Sequence, residues 1–191
     1  SAAEWLRNLG YDVHVYDRHD RAGGLLIYGI PGFKLEKHVV QRRVDRLIDG
    51  GVQFVLGCEV GKDVTLTELR QRHDVVLLAM GVYQPRILSA PGRGPDSTVA
   101  ALSYLTHQNR RDLGDAEQDG WHEARGKRVV VIGGGDTAMD CVRTAVRQGA
   151  ASVTCLYRRD RENMPGSARE VVNAEEEGVV FEWLAAPKAL L

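Results

Sequence analysis

A glycine turn between an apolar run and a helical pattern constrains the fold of this chain more than any other feature. The run at 129–132 is short, apolar and β-branched, which predicts a strand, and three glycines follow it directly. Gly133, Gly135 and Ala138 have the G-x-G-x-x-A spacing of a dinucleotide-binding strand–turn–helix unit. The first glycine permits the tight turn, the second lets a pyrophosphate approach the backbone, and the alanine lets the helix pack against the strand. We therefore expect phosphates at the start of this helix.

The composition excludes several classes of function. The chain has 191 residues, enough for one large domain or two small ones, and its formal net charge of −1 gives no case for nucleic acid or an anionic membrane. It contains no apolar run near the roughly 18 residues of a transmembrane helix, and no signal peptide is recognisable. Cys58, Cys141 and Cys155 form no C-x-x-C pair. We therefore expect free thiols, no metal site and a cytoplasmic protein.

The N-terminal part has the pattern of a nucleotide-binding unit without its first strand. Residues 2–9 have helical spacing, and residues 11–16 alternate like a strand that ends at Asp17. In a complete Rossmann unit, an acid at this place receives ribose hydroxyls, although a solvated strand end would look the same. The segment 23–31 is rich in glycine but apolar, which suits either backbone that passes close to a flat ligand or a buried turn.

Further elements predict an α/β layer architecture. The patterns favour a helix at 39–48, a strand at 52–56, a helix at 65–72 opened by a capping box of Thr65 and Glu68, and a buried strand at 74–81. From 89 to 125 the pattern loosens, with a helix at 99–105 and a surface connection at 109–126. We expect domains at 1–100 and 126–191, joined by a connecting segment at 101–125.

The second unit ends its middle strand on arginines. A helix at 136–148 is closed by Gly149, a strand follows at 153–157, and then Arg158 and Arg159 stand about 25 residues past Gly133. An acid there would accept hydrogen bonds from the ribose of NAD, whereas the guanidinium fork matches a 2′-phosphate. This favours NADP(H) over NAD(H), the alternative being solvated basic residues. The chain continues with a polar helix at 167–177, whose acids at 175–177 we expect to be a solvated face, and a strand at 179–183.

With these residues in hand, the chain resembles the small (beta) subunits of NADPH-dependent glutamate synthase and related FAD/NADPH electron-input oxidoreductases. The markers are GGLL at 23–26, YGIP at 28–31, FKL at 33–35, GGGDTAMD at 133–140, YRRD at 157–160 and NMPG at 163–166. The resemblance implies two Rossmann-like units, with the NADPH domain inserted into the FAD domain. It also implies hydride transfer from NADPH to FAD, then electron transfer to iron–sulfur clusters and a large subunit that forms glutamate from glutamine and 2-oxoglutarate.

Site residues follow from the same resemblance. The implied FAD contacts are Asp17, Gly23, Gly24, Leu25, Lys34, Val60 and Gly81. The implied NADPH contacts are Gly133, Gly134, Gly135, Asp136, Thr137, Arg158 and Arg159. No catalytic side chain and no metal ligand is predicted, because the cofactors carry this reaction and the protein orients them.

Compared with the family pattern, the first FAD strand, its glycine loop, a cysteine-rich N-terminal segment and the C-terminal return are missing. We therefore expect an internal fragment that binds FAD weakly and is inactive alone, with clusters only in the full-length protein. Two alternatives stay open: a non-catalytic nucleotide-binding or subunit-docking domain, and a paralogous iron–sulfur flavoprotein oxidoreductase. A disulfide reductase of the thioredoxin-reductase type is rejected, because Cys141 stands alone.

Overall fold

The computed structural model describes residues 1–82, 84, 88, 90–92, 98–116 and 122–189. Internal contacts divide the chain into two compact units. Unit 1 comprises Ser1–Tyr28 and Gly32–Gln84, and unit 2 comprises Gly29–Pro31 and Pro85–Leu191. The domain ranges inferred from the sequence stay predictions. No helix in the described ranges is both long and apolar enough to cross a membrane.

Unit 1 is built around a parallel strand pair. Its elements are α1 (Ala2–Asn8), β1 (His14–Asp17), α2 (Leu25–Tyr28), α3 (Lys37–Asp49), β2 (Gln53–Leu56) and α4 (Leu66–Arg72). β1 pairs with β2 from His14↔Gln53 to Asp17↔Leu56, and α3 supplies the crossover that parallel strands need. The Thr65 side chain accepts from the Glu68 N–H while the Glu68 carboxylate accepts from the Thr65 N–H. The helices predicted at 39–48 and 65–72, the strand predicted at 52–56 and the capping box are therefore confirmed.

The buried strand predicted at 74–81 is wrong. None of these residues is assigned to a strand, and Val75 and Met80 are 82% and 72% exposed. An apolar run becomes a buried strand only where a neighbouring strand takes its hydrogen bonds and a packed layer covers its side chains. Within the part of the chain that the structure describes, no strand pairs with this run.

Unit 2 is a three-stranded parallel sheet with helices. Its elements are α5 (Ala101–Asp112), β3 (Arg128–Ile132), α6 (Asp136–Arg147), β4 (Ser152–Tyr157), α7 (Ala168–Glu176) and β5 (Val180–Trp183). The strand order is β3-β4-β5, all parallel, with α6 and α7 as the crossovers. The α/β class is thereby confirmed.

The core of unit 2 lies between the sheet and its helices. Met139 and Val142 on α6 pack with Val153 and Cys155 on β4 and with Ala174 on α7. Each large apolar side chain buried in this way contributes about 1.5–3 kcal/mol. The apolar face of α6 and the inward-facing residues of β4 therefore pack into one core layer. This layer holds the ends of the strands in place.

Two predictions for unit 2 need correction. The helix expected at 99–105 extends to Asp112, and Asn109, expected in a surface connection, is buried within it. Polar residues continue this helix because one side of it still packs against α6. Residues 117–121 of the expected connection lie outside the described residues.

Candidate functional site

The glycine turn joins β3 to α6 as the sequence predicts. Gly133 has a φ of +147°, a conformation that favours glycine, and its N–H donates to the Leu156 carbonyl at 3.0 Å. A Cβ on Gly133 would lie 3.5 Å from the Ala138 side chain, which shows the close approach of helix and strand. A Cβ on Gly135 would meet nothing within 4 Å. The turn is therefore open at Gly135, where the first N–H groups of α6 are unpaired within the helix.

Gly134 has a packing role that the sequence did not reveal. A Cβ at this position would lie 2.5 Å from the ring of Tyr157, the last residue of β4. Tyr157 is buried, and its ring meets Trp183 edge to face at 6.4 Å. The Tyr157 hydroxyl donates to the Asn163 carbonyl at 3.1 Å. The Tyr157 ring therefore packs directly beneath the glycine turn at Gly134.

The two arginines follow Tyr157 at the same edge of the sheet. The register Ile132↔Leu156 places the ends of β3 and β4 side by side, so the glycine turn and the arginine turn are neighbours. The side chains of Arg158 and Arg159 are exposed and make no hydrogen bond or ion pair with any residue that the structure describes. Ligands of open parallel sheets bind at this carboxyl edge.

Arg161, close by in sequence, has a different role. Its guanidinium makes two parallel bonds to the Glu175 carboxylate, at 2.7 and 2.8 Å. Glu177 likewise pairs with Arg143 and Arg147. The expectation of a solvated acidic face at 175–177 is therefore wrong for Glu175 and Glu177, because partners distant in sequence reach them.

A second segment lies against the glycine turn. The Gly166 N–H donates to the Gly134 carbonyl at 2.9 Å, and the Ser167 N–H donates to Asp136 Oδ1 at 2.9 Å. Thr137 lies exposed in the first turn of α6 beside Asp136. The contact of Ser167 with Asp136 spans 31 residues, so no local pattern in the sequence announces it.

In unit 1, Asp17 ends β1 as expected. Its Oδ1 accepts from the His19 N–H at 2.9 Å and lies 2.8 Å from His19 Nδ1. The His19 ring contacts Tyr28, whose hydroxyl bonds to Asp20 and accepts from Arg21 at 3.1 Å. The carboxylate is thus held in place through one oxygen.

The other FAD candidates lie around unit 1. Gly23 and Gly24 have φ values of +121° and +54°, and Leu25 begins α2 directly after them. A Cβ on Gly23 would lie 2.9 Å from Val40 on α3, so this glycine is needed for packing. The remaining candidates are exposed positions on three separate segments: Lys34, Val60 and Gly81.

The cysteines are free thiols. Burial raises the pKa of Cys141 to about 12 and that of Cys155 to about 11. The Cys155 thiol donates to the Gly133 carbonyl at 3.3 Å, so it supports the glycine turn. A thiol with so high a pKa carries almost no thiolate at neutral pH and is a poor nucleophile. Among the described residues, no group of three or more His, Cys, Asp or Glu side chains could hold a metal.

Together, the parallel sheet, the glycine turn and the arginine turn have the arrangement that is typical of dinucleotide-binding α/β proteins. The chain belongs to the pyridine nucleotide-disulphide oxidoreductase family, whose sequence profile matches residues 1–190.

Relatives confirm the resemblance drawn from the motifs. The chain is 65% identical over 191 residues to a putative glutamate synthase (NADPH) small chain of Cereibacter sphaeroides, covering 100% of the chain and 46% of that protein. It is 64% identical to the glutamate synthase (NADPH) small chain of Azospirillum brasilense, covering 98% of the chain and 40% of that protein. The chain therefore spans less than half the length of these two relatives.

A solved structure supports the fold. FprA from Mycobacterium tuberculosis, in complex with NADPH, matches with a TM-score of 0.72 at 19% identity, over 92% of this chain and 44% of that one. At this identity the likeness concerns the fold alone.

Proposed function

We propose that this chain is part of an electron-input flavoprotein that passes electrons from NADPH through FAD to iron–sulfur clusters, as in glutamate synthesis. The main observation behind this proposal is that Arg158 and Arg159, whose side chains form no ion pair with a described residue, lie beside an open glycine turn. Both turns are at the same edge of a parallel sheet. The relatives are named for NADPH, in agreement with arginines rather than an acid at this place.

The NADPH site is proposed in unit 2. The backbone of residues 133–137 receives the pyrophosphate, because Gly135 leaves the approach open and the start of α6 offers N–H groups and a positive dipole end. Arg158 and Arg159 bind the 2′-phosphate, since neither side chain forms an ion pair with a residue that the structure describes. The residues present fit the nucleotide.

The FAD site is proposed in unit 1. Asp17 accepts hydrogen bonds from the adenosine ribose through the carboxylate oxygen that His19 does not hold. Gly23, Gly24 and Leu25 line the flavin nucleotide, Lys34 contacts it, Val60 lies by the adenine and Gly81 closes the pocket. This set rests on the family resemblance and on the position of Asp17 at the end of β1.

The cofactors supply the chemistry, which is hydride transfer from nicotinamide to flavin. The chain binds and orients them, and no side chain of its own needs to move a proton. We also propose a cytoplasmic protein whose electrons pass to a large glutamate synthase subunit or another accepting subunit.

Nucleotide titration tests the proposal. The purified protein is titrated by calorimetry with NADPH and with NADH, after a visible spectrum has recorded any flavin. Removing both arginines in Arg158→Ala/Arg159→Ala should raise the Kd for NADPH at least about 10-fold, because a single charge-assisted bond already contributes about 1.5–3 kcal/mol. The Kd for NADH should change little, because NADH lacks the 2′-phosphate.

A matched control removes two positive charges at the opposite edge of the same sheet. Lys127→Ala/Arg128→Ala should leave both affinities unchanged, since Arg128 begins β3 and Lys127 comes directly before it, at the end of the strand away from the glycine turn. Equal loss in both double variants would mean that the arginines act only through net charge. If the parent protein binds neither nucleotide, the alternative of a non-catalytic docking domain is favoured.

A further inference from the structure

The segment 163–167 is attached to the glycine turn and the start of α6 by two hydrogen bonds and to Tyr157 by a third. Its Gly166 N–H donates to the Gly134 carbonyl, and its Ser167 N–H donates to Asp136 Oδ1, both at 2.9 Å. At its start, the Asn163 carbonyl accepts from the Tyr157 hydroxyl at 3.1 Å. We refer to residues 163–167 as the latch segment.

Packing leaves the latch segment little freedom. A Cβ on Gly166 would lie 3.0 Å from the Gly134 carbonyl oxygen and 3.6 Å from Met139, so only glycine fits there without a shift. Met164 packs against the buried core of unit 2. The latch segment is thus seated on the same elements that form the glycine turn.

The latch segment is connected to the arginine turn through a fixed corner. Asp160 Oδ1 accepts from the Asn163 N–H at 2.9 Å and from its side-chain amide at 2.8 Å. These two bonds, together with the charge of Arg159, hold the pKa of Asp160 below its ordinary value. On the other side, the Leu184 N–H donates to the Arg159 carbonyl at 3.1 Å. The arginine turn is therefore anchored at both of its ends.

The side chain of Asp136 is poorly suited to bind a phosphate itself. It carries a negative charge in the first turn of α6, next to the place proposed for the pyrophosphate, and two anions repel. Its carboxylate accepts instead from Ser167, across 31 residues of sequence. This bond joins the helix that receives the pyrophosphate to the segment that follows the arginines.

We propose that Asp136 is a positioning residue for NADPH selectivity: through Ser167 it fixes the latch segment and so holds Arg158 and Arg159 ready for the 2′-phosphate. The inference rests on the proposed function of the arginines. Its physical basis is preorganisation, because side chains and loops that are already ordered lose less entropy on binding. NADH does not use the arginines, so its binding is insensitive to the latch.

Two substitutions at Asp136 separate position from charge. Asp136→Ala removes the acceptor and should raise the Kd for NADPH about three- to tenfold, the range of one lost hydrogen bond, with less than about a twofold change for NADH. Asp136→Asn keeps an oxygen that accepts from Ser167 and should retain NADPH affinity within about twofold. A loss in Asn equal to that in Ala overturns the proposal, as does tighter NADPH binding in both or an equal loss for NADPH and NADH.

A third variant reaches the same bond from its other end. Ser167 has a φ of −56°, which proline adopts, so Ser167→Pro removes the donor and leaves Asp136 intact. It should reproduce the effect of Asp136→Ala, and the double variant should be no worse than either single one. Additive losses would show that the two residues act separately and would overturn the proposal.

Limited trypsin digestion without nucleotide measures directly how firmly the latch segment is held. Trypsin cleaves after arginine, and Arg158, Arg159 and Arg161 all lie just before the latch segment. Cleavage there should be faster in Asp136→Ala and Ser167→Pro than in the parent, and unchanged in Asp136→Asn. If the parent binds neither nucleotide, the proposed function fails while digestion still reports on the latch. If the parent prefers NADPH but Asp136→Ala matches it in both digestion and affinity, the latch alone is overturned.

Discussion

At the residue scale, neighbouring glycines of one turn meet different surroundings. Gly134 has no room for a side chain, because a Cβ would overlap the Tyr157 ring at 2.5 Å. Gly135 faces open space and has an extended φ of −93° that any residue can adopt. One glycine is therefore needed for packing, whereas the other is available for a ligand, and the letters of the motif do not distinguish them.

We predict that Gly134→Ala and Gly135→Ala separate stability from binding. Gly134→Ala should lower the free energy of unfolding by about 1–3 kcal/mol, the range of an overpacked core, because the Tyr157 ring is held by Asn163 and Trp183. Gly135→Ala should cost less than about 1 kcal/mol, the loss of a favourable N-cap, yet weaken NADPH and NADH alike. Urea unfolding and calorimetric titration measure the two effects.

The contrast between the two variants is the decisive result. A Gly134→Ala protein with the parent's urea midpoint would show that Tyr157 moves aside at no cost. A Gly135→Ala protein with unchanged affinity for both nucleotides would place the pyrophosphate elsewhere.

At the element scale, an ion-pair network joins α6 to α7. The Arg143 side chain is 10% exposed and donates to Glu170 at 2.7 Å and to Glu177 at 2.9 Å, while Arg147 pairs with Glu177 from the outside. Burial alone would raise the pKa of Glu177, but hydrogen bonds from Arg147 and Arg143 outweigh it, and the pKa lies below its ordinary value. The carboxylate therefore stabilises the fold in its charged form.

We predict that Glu177→Gln destabilises the protein at neutral pH and not in acid. The loss at pH 7 should be about 1–2 kcal/mol, less than for a fully buried pair, because Glu170 still pairs with Arg143 and solvent screens the outer side. A lowered pKa stabilises the fold above the unfolded value of about 4.3, and this contribution is lost as the pH falls through the folded pKa. Urea midpoints measured from pH 7 to below the folded pKa of Glu177 should therefore converge for parent and variant only at the acid end of the range.

Glu176→Gln is the matched control, because it makes the same substitution at the neighbouring residue, which is exposed. It should leave the urea midpoint unchanged at every pH. A constant difference between Glu177→Gln and the parent across the pH range would mean that shape, not charge, carries the effect.

Helices and strands were predictable where the spacing of apolar residues in the local sequence determines them. The helix α6 and the strand β4 follow from the 3.6 and 2.0 periods of their apolar residues, and Gly149 ends α6 with a φ of +83°. The exposure of residues 74–81 was not predictable. Their apolar pattern is typical of a buried strand, but such a run forms a strand only where a partner strand pairs with it. The partners of Glu175 and Glu177 were also hidden, since they lie 14 and 30–34 residues away.

At the scale of the whole molecule, the proposed sites fall in different units. The NADPH candidates are all in unit 2, and the FAD candidates Asp17, Gly23, Gly24, Leu25, Lys34, Val60 and Gly81 are all in unit 1. Local signals, glycine spacing and strand ends, predicted the glycine turn, Asp17 and the two arginines, whereas Lys34, Val60 and Gly81 were assigned only through the family resemblance. Tyr157 and Ser167 were missed as supports of the site, because their roles depend on sheet register and on a contact between α6 and the segment before α7.

Hydrogen exchange should show this separation, because a ligand slows exchange most at the amides that it contacts or orders. NADPH should protect residues 133–137 and the stretch 158–167 in unit 2, and leave β1 and β2 of unit 1 near their rates without ligand. In Arg158→Ala/Arg159→Ala, protection of 158–167 by NADPH should fall to the level that NADH gives, while protection of 133–137 should persist at saturating nucleotide. Strongest protection of β1 and β2 by NADPH would instead place its site in unit 1 and contradict the assignment of the arginines.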